Sequence, residues 1–299
     1  MSWYAAIEAG GTKFVCGIAD ARRQWLRQTR IDTRDPQSTL RQVMEFFTPQ
    51  MASGPPLAAG VASFGPLDLD PQSPGYGSIT NTPKPDWANT ELVEPLRAFF
   101  QAPVMIDTDV TAAALAEYHW GAGQGCSPVI YVTVGTGVGG GMVIGGNPVS
   151  GLLHAEMGHM RVARLPGDDF AGICPYHGDC IEGLVCGPAI AARCGRPAQQ
   201  LAADDPIWSQ VAAYLGQFAA NLQLTLAPQK LIFGGGVMAT AGLLTRVRET
   251  MRDSLNGYLA HPLLTDHDSP LLSAPALADR SGLSGALALA LRANPEAPR

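Results

Sequence analysis

The sequence predicts an α/β protein built from two similar halves around a cleft. Short apolar runs of strand length alternate with longer segments of helical period along the chain. A strand–glycine turn–strand pattern occurs twice, about 125 residues apart, too long for a solenoid repeat but suited to a duplicated half. The 299 residues are 46% apolar, enough for a sizeable core, and the length fits one large or about two ordinary domains.

Taken in order, residues 3–8 (WYAAIE) read as a buried strand, 9–12 (AGGT) as a tight turn and 13–19 (KFVCGIA) as the returning strand. A short third strand is expected over 24–30. Leu40, Val43, Met44 and Phe47 share one helix face, so 39–47 is predicted helical. An apolar strand follows over 58–63, and the Pro and Gly crowded into 65–85 predict an extended surface loop. A helix over 91–100 leads to a buried strand over 104–106, the run Asp107-Thr108-Asp109, and a helix over 111–120 whose alanines permit close packing. The second copy has a strand over 129–134, a glycine turn over 135–140 and a return strand over 141–144. A long amphipathic helix is predicted over 208–227, then a buried strand over 230–233 ending in Gly234-Gly235-Gly236-Val237-Met238, which opens a helix. Helices over 243–255 and 281–291 complete the set, and the tail from Asn294 is expected to fray. The expected lobes are 1–115 with 281–299, and 116–280.

The composition excludes several classes of function. A net charge of −6 argues against a sequence-independent nucleic-acid binder, which needs a basic surface to displace counterions. No stretch approaches the roughly 20 apolar residues that cross a bilayer. Met1-Ser2-Trp3-Tyr4 lacks the basic and apolar regions of a secretory signal, so the expected location is cytoplasmic. Six cysteines at this length are no disulfide scaffold. Closely spaced ones then point to a metal, and the scattered Cys16, Cys126, Cys186 and Cys194 to core filling.

Three motifs carry chemistry. Phosphate must lie against the backbone to collect several N–H groups, and glycine permits that approach. Gly10, Gly11, Thr12 and Lys13 would form one cradle, and Gly135, Thr136, Gly137, Gly139 and Gly140 a second. The alternative is two ordinary hairpins whose turns need positive φ. Neither motif is a Walker A loop, and neither is followed directly by a helix as a dinucleotide fingerprint would be. Asp109 stands between a buried strand and a helix, where a carboxylate can project as a base or simply cap the helix. His159 with Cys174-Pro-Tyr-His177-Gly-Asp-Cys180 supplies four donors at the spacing of a closed tetrahedral zinc site. The alternative is a pair of buried thiols near surface histidines.

These stretches, IEAGGTKF (7–14), DTDVTAAALAE (107–117), VTVGTGVGGG (132–141), HAEMGH (154–159) and CPYHGDC (174–180), resemble the ROK family of sugar kinases over nearly the whole chain. The resemblance is nearest to the fructokinase branch. It implies an actin-like, ribonuclease H-like ATPase fold with two similar lobes and ATP-dependent, Mg2+-dependent phosphorylation of a hexose at its 6-hydroxyl, with fructose favoured. It implies Asp109 as catalytic base. Gly10–Lys13 would contact the transferred phosphate, and Thr136 and Gly137 the ATP phosphates. Gly234, Gly235, Gly236, Val237 and Met238 would meet adenosine together with Pro188. Glu156 and Glu182 would hold the sugar, with His154, Gly65 and the Asn81-Thr82-Pro83 loop beside them. The zinc on His159, Cys174, His177 and Cys180 would be structural. Relatives often carry Asp where this chain has Glu8, which leaves open whether Glu8 or Asp107 helps to place Mg2+. Trp87 reads as packing rather than a sugar platform. Dimers are common in the family, so a homodimer is an expectation, with neither nucleic acid nor membrane as partner. The rival readings are another ROK hexokinase (glucose, mannose or an N-acetylhexosamine) and a sugar-sensing ROK regulator. The regulators carry an N-terminal helix-turn-helix for which the first strand at Trp3 leaves no room. A zinc hydrolase is disfavoured by the closed ligand set and the lack of any HExxH.

Overall fold

A computed structural model describes residues 2–294 of the chain. The fraying expected of the tail lies, beyond Asn294, outside the described residues. The chain opens with β1 (Trp3–Ala9), β2 (Lys13–Asp20) and β3 (Trp25–Asp32), an antiparallel meander. Helix α1 (Pro36–Met51) is longer than its apolar stripe, because Asp35 accepts the Ser38 N–H as N-cap and Pro36 sits in the first turn. β4 (Ala59–Ser63) is buried throughout. The stretch read as a loop over 65–85 is only partly one. β5 (Ser78–Ile79) pairs with β6 (Thr90–Glu91), and Leu67, Ile79 and Trp87 are fully buried. Trp87 packs between Phe14 and Phe64 and donates its indole N–H to the Arg34 carbonyl at 2.7 Å, a packing role. Helix α2 (Val93–Phe100) therefore starts later than expected, because β6 claims Thr90 and Glu91.

β7 (Val104–Thr108) runs directly into α3 (Asp109–Trp120). β8 (Val129–Val134) is followed by β9 (Val138–Ile144), so the second glycine turn is tighter than predicted. Gly139 and Gly140 belong to the strand, and Met157 fills the face of Gly140 where a Cβ would meet its sulfur at 2.6 Å. β10 (Asn147–Pro148) follows. Two short helices without a readable period come next, α4 (Ile181–Val185) and α5 (Gly187–Cys194). Helix α6 (Ile207–Leu226) leads to β11 (Lys230–Gly234). The third glycine cluster then opens a 3-10 turn (Val237–Ala239), and helix α7 (Leu243–Leu255) starts only after Gly242. The short α8 (Pro262–Thr265), β12 (Leu272–Ser273) and the terminal α9 (Ser281–Ala293) complete the chain.

The chain forms two compact units. The first holds the residues up to Ala116, the segment Pro148–His154 and the chain from Asp279; the second holds Glu117–Asn147 and Ala155–Ala278. The first contains a five-stranded sheet in the order β3-β2-β1-β4-β7, the second a sheet in the order β10-β9-β8-β11-β12. Both place an antiparallel hairpin beside two parallel strands, so the repeated sequence pattern becomes a repeated topology. The first core gathers Trp3, Phe14, Phe47, Trp87 and Phe100. Helix α9 presses on β4 so closely that a Cβ on Gly60 would lie 1.9 Å from the Ala286 carbonyl oxygen. The second core packs α6 and α7 against β8 and β11. Cys16 and Cys186 are buried in these cores as expected and half-buried Cys194 packs against the second, whereas half-buried Cys126 belongs to neither.

Candidate active site

In the first unit, the turn Gly10–Lys13 is fixed from both sides. Gly10 N–H donates to the Lys13 carbonyl at 3.0 Å, and the Thr33 hydroxyl donates to the Gly10 carbonyl at 2.7 Å. A Cβ on Gly10 would sit 2.7 Å from that Lys13 oxygen, so glycine is required there, whereas the face of Gly11 is open. Lys13, Glu8, Arg30, Asp279 and Arg280 line a cavity of about 430 Å³ beside the turn. Glu8, on β1, is half-buried with its carboxylate against Gly282, where a Cβ would lie 2.3 Å from Oε1. A bare glycine at the start of α9 thus makes room for glutamate in place of the shorter aspartate. Burial, then the neighbouring Asp109 charge, pushes the Glu8 carboxyl up to about 7, against the pull of Lys13 and Arg30.

Asp109 is the first residue of α3, and the cap is not its task. Thr108 Oγ1 accepts the Thr111 N–H at 3.2 Å and donates to the Thr111 hydroxyl at 2.7 Å. Asp109 Oδ1 accepts the N–H of Val110 at 2.9 Å. Asp107 is half-buried on β7, and burial pushes its carboxyl up to about 6 although it accepts the Thr108 N–H at 2.7 Å. His154, read from sequence as a sugar contact, is buried and braces a loop. Its Nε2 accepts the Leu67 N–H at 2.9 Å, directly after the cis Gly65–Pro66 bond, and its ring lies 3.5 Å from the site of a Gly65 Cβ. This partnership spans 87 residues, so no local pattern could announce it. Asn81 is exposed and follows Thr80, which bonds back to the Pro66 carbonyl. Gly10–Lys13, Glu8, Gly65, Asp107, Asp109 and His154 therefore all belong to one unit.

The second unit holds the remaining residues. Gly135 N–H donates to the Gly137 carbonyl at 2.8 Å, shaping the turn on which Thr136 is exposed. Gly187, heading α5, donates its N–H to the Gly135 carbonyl at 2.7 Å, bringing exposed Pro188 beside that turn. Gly235 has φ of 93° and would place a Cβ 2.4 Å from the Val134 carbonyl oxygen, so Gly234–Met238 also lies against the end of β8. Glu156 is exposed immediately before the 3-10 turn Met157–His159, and half-buried Glu182 is in the first turn of α4.

His159, Cys174, His177 and Cys180 are the one group of potential metal ligands of this kind among the described residues, their donor atoms all within 4.8 Å of one another. Cys174 Sγ lies 3.7 Å from His159 Nδ1 and 3.6 Å from His177 Nδ1, and Cys180 Sγ lies 3.5 Å from His159 Nδ1. A tetrahedron with zinc–sulfur bonds of about 2.3 Å and zinc–nitrogen bonds of about 2.0–2.1 Å has edges of roughly 3.6 Å. The donor set therefore fits zinc in both chemistry and spacing. Gly172 and Gly183 admit the tight fold of this loop, each meeting the Gly178 carbonyl closely. No helix among the described residues is long and apolar enough to cross a membrane.

The chain matches the ROK family over residues 4–293. It is 46% identical over 296 residues to a fructokinase of Zymomonas mobilis, covering 97% of both chains. Among solved structures, it is similar to a ROK hexokinase of Thermus thermophilus at 29% identity, covering 96% of this chain and 97% of that one, with a TM-score of 0.78. It also matches a ROK family glucokinase of Streptomyces griseus in complex with glucose and AMPPNP, at 25% identity and a TM-score of 0.76, covering 97% of this chain and 100% of that one. The duplicated sheets are those of the actin-like ATPase fold.

Proposed function

The chain belongs to the ROK family, and from that premise we propose that it is a fructokinase, moving the γ-phosphoryl group of ATP to the 6-hydroxyl of D-fructose. The choice of sugar is supported by the relative at 46% identity. One geometric observation carries the catalytic reading: Asp109 heads α3 directly at the end of β7, while Thr108 Oγ1 takes the Thr111 N–H that an N-cap would accept.

Phosphoryl transfer asks a protein for positioning, charge neutralisation and an acceptor for the hydroxyl proton. Asp109 takes that proton as the sugar oxygen bonds to the γ-phosphorus and the bond to the β-phosphate oxygen breaks, releasing ADP. Main-chain N–H groups of the Gly10–Lys13 turn and of Thr136 and Gly137 hold phosphate oxygens. Gly234–Met238 and Pro188 receive adenosine. Glu156 and Glu182 take sugar hydroxyls, and Gly65 and Asn81 are further sugar contacts supplied by the first unit. Mg2+ arriving with ATP would supply further charge neutralisation at the phosphates. Zinc held by His159, Cys174, His177 and Cys180 would supply a closed cross-link that fixes the segment between Glu156 and Glu182, with every position filled by protein.

A coupled ADP-release assay over a panel of hexoses, with and without Mg2+, tests the reading. Fructose-stimulated, Mg2+-dependent ADP release is expected, with the product phosphorylated at the 6-position. Absence of sugar-stimulated ADP with every hexose overturns the kinase reading in favour of a sugar-sensing regulator. Preference for glucose, mannose or an N-acetylhexosamine overturns the choice of fructose alone.

A further inference from the structure

Glu182 has a partner that a sugar-binding role does not explain. Its Oε2 accepts the main-chain N–H of Val138 at 3.0 Å, where β9 leaves the second glycine turn. Gly137 leaves room for this approach, since a Cβ there would lie 2.6 Å from the same oxygen. The other end of the turn is gripped from the same direction in sequence, through the 2.7 Å bond from Gly187 N–H to the Gly135 carbonyl. Cys186 joins the two grips: it closes α4, N-caps α5 and donates its N–H to the Glu182 carbonyl at 3.2 Å. One short helical segment, starting at the last residue of the metal knot, therefore holds both ends of the turn Gly135–Val138. A carboxylate beside a phosphate-binding turn is electrostatically adverse unless it has a structural task there, and a charge-assisted bond to a backbone N–H is such a task.

We propose that Glu182 is a positioning residue for the nucleotide turn. Through Oε2 it fixes the conformation in which Thr136 and Gly137 meet the phosphates, and Oε1 remains for a sugar hydroxyl. The inference rests on the kinase reading and deepens it, because one carboxylate then serves both substrates and their affinities become linked.

The test is calorimetric titration of AMPPNP with Mg2+, in the absence of sugar, into the full chain and its variants. E182A is expected to bind AMPPNP about tenfold more weakly, the effect of losing a hydrogen bond to a charged group. E182Q, whose amide oxygen can still accept from Val138, should stay within about threefold. Unchanged affinity in E182A overturns the proposal, and so does an E182Q as weak as E182A, since charge rather than the hydrogen bond would then be responsible. Should E182A fail to fold, E182D replaces it: the carboxylate, one methylene shorter, is drawn back from the Val138 N–H while the charge is kept, and AMPPNP should weaken similarly, with unchanged binding again overturning the proposal. No AMPPNP binding by the unsubstituted chain overturns the kinase reading itself, and the positioning role with it.

Discussion

An aspartate at the start of a helix is ordinarily a cap, and at Asp109 the neighbouring side chains decide against that. Thr108 accepts the Thr111 N–H, so the helix start is satisfied without the Asp109 side chain reaching down the first turn. Replacing Asp109 by Asn should therefore leave the thermal midpoint within about 2 °C, because the amide oxygen can still accept the Val110 N–H and Thr108 keeps the Thr111 N–H. Turnover should fall by about a hundred- to ten-thousand-fold, the usual worth of a general base. Steady-state kcat and a melting curve on one preparation separate the two effects. Near-normal turnover, or a collapse of stability matching the lost activity, rejects the assignment. The motif made Asp109 a candidate for base or cap, and sequence alone could not decide whether it caps the helix, because that depends on which oxygen the Thr111 N–H chooses. Glu8 was similarly ambiguous. Its fit depends on Gly282, a residue at the far end of the chain that no local pattern connects to it.

At the scale of elements, what was legible followed from periodicity and from local ligand spacing. Helix α7 has its predicted bounds, and α6 differs by one residue at each end, because both carry a sustained apolar face. The pair β5 and β6 escaped notice because two-residue strands have no period, and α4 and α5 because each is too short to show one. The Cys174–Cys180 motif was readable since its ligands lie within one loop. Its consequence was not, because the helices leaving it grip a turn more than 40 residues earlier, through a bond separated by 44 positions. If the knot acts as a cross-link, elemental analysis should find one zinc per chain. Cys180→Ser should then lose the metal and lower the thermal midpoint by at least about 4 °C, since binding energy at a closed site is folding energy. A chain purified with well under one zinc, or a Cys180→Ser variant melting like the parent, contradicts this.

For the whole molecule, buried carboxyls in the two units pull stability in opposite directions along the pH axis. Asp168, in the second unit, receives two hydrogen bonds from Arg193 at 2.8 and 2.9 Å and one from the Tyr214 hydroxyl. The Arg193 bonds hold its carboxyl well below the ordinary value of 3.8. Such a group stabilises the fold wherever the unfolded chain would also be ionised, and that contribution is lost as pH falls below the ordinary value. Glu8 and Asp107, in the first unit, act oppositely. Burial raises them from 4.5 to about 7 and from 3.8 to about 6, so the fold favours their neutral forms. Their contribution is complete below the unfolded values and drains away as pH rises through about 6 for Asp107 and about 7 for Glu8. Stability without nucleotide or sugar should therefore peak near pH 4–5 and decline towards pH 8, a maximum on the acidic edge of the range common to proteins, about pH 5–8. Urea midpoints measured from about pH 2 to about pH 8 read the two limbs separately. Glu8→Gln and Asp107→Asn should flatten the decline above pH 5, while Asp168→Asn should lower the midpoint at neutral pH and leave the alkaline decline intact. Breaking the Asp168–Arg193 pair, with side chains only 5% and 9% exposed, should cost about 3–5 kcal/mol in the second unit. A parent profile that rises from pH 5 to pH 8 would show that the Glu8 and Asp107 carboxylates are stabilised in the fold rather than penalised by it.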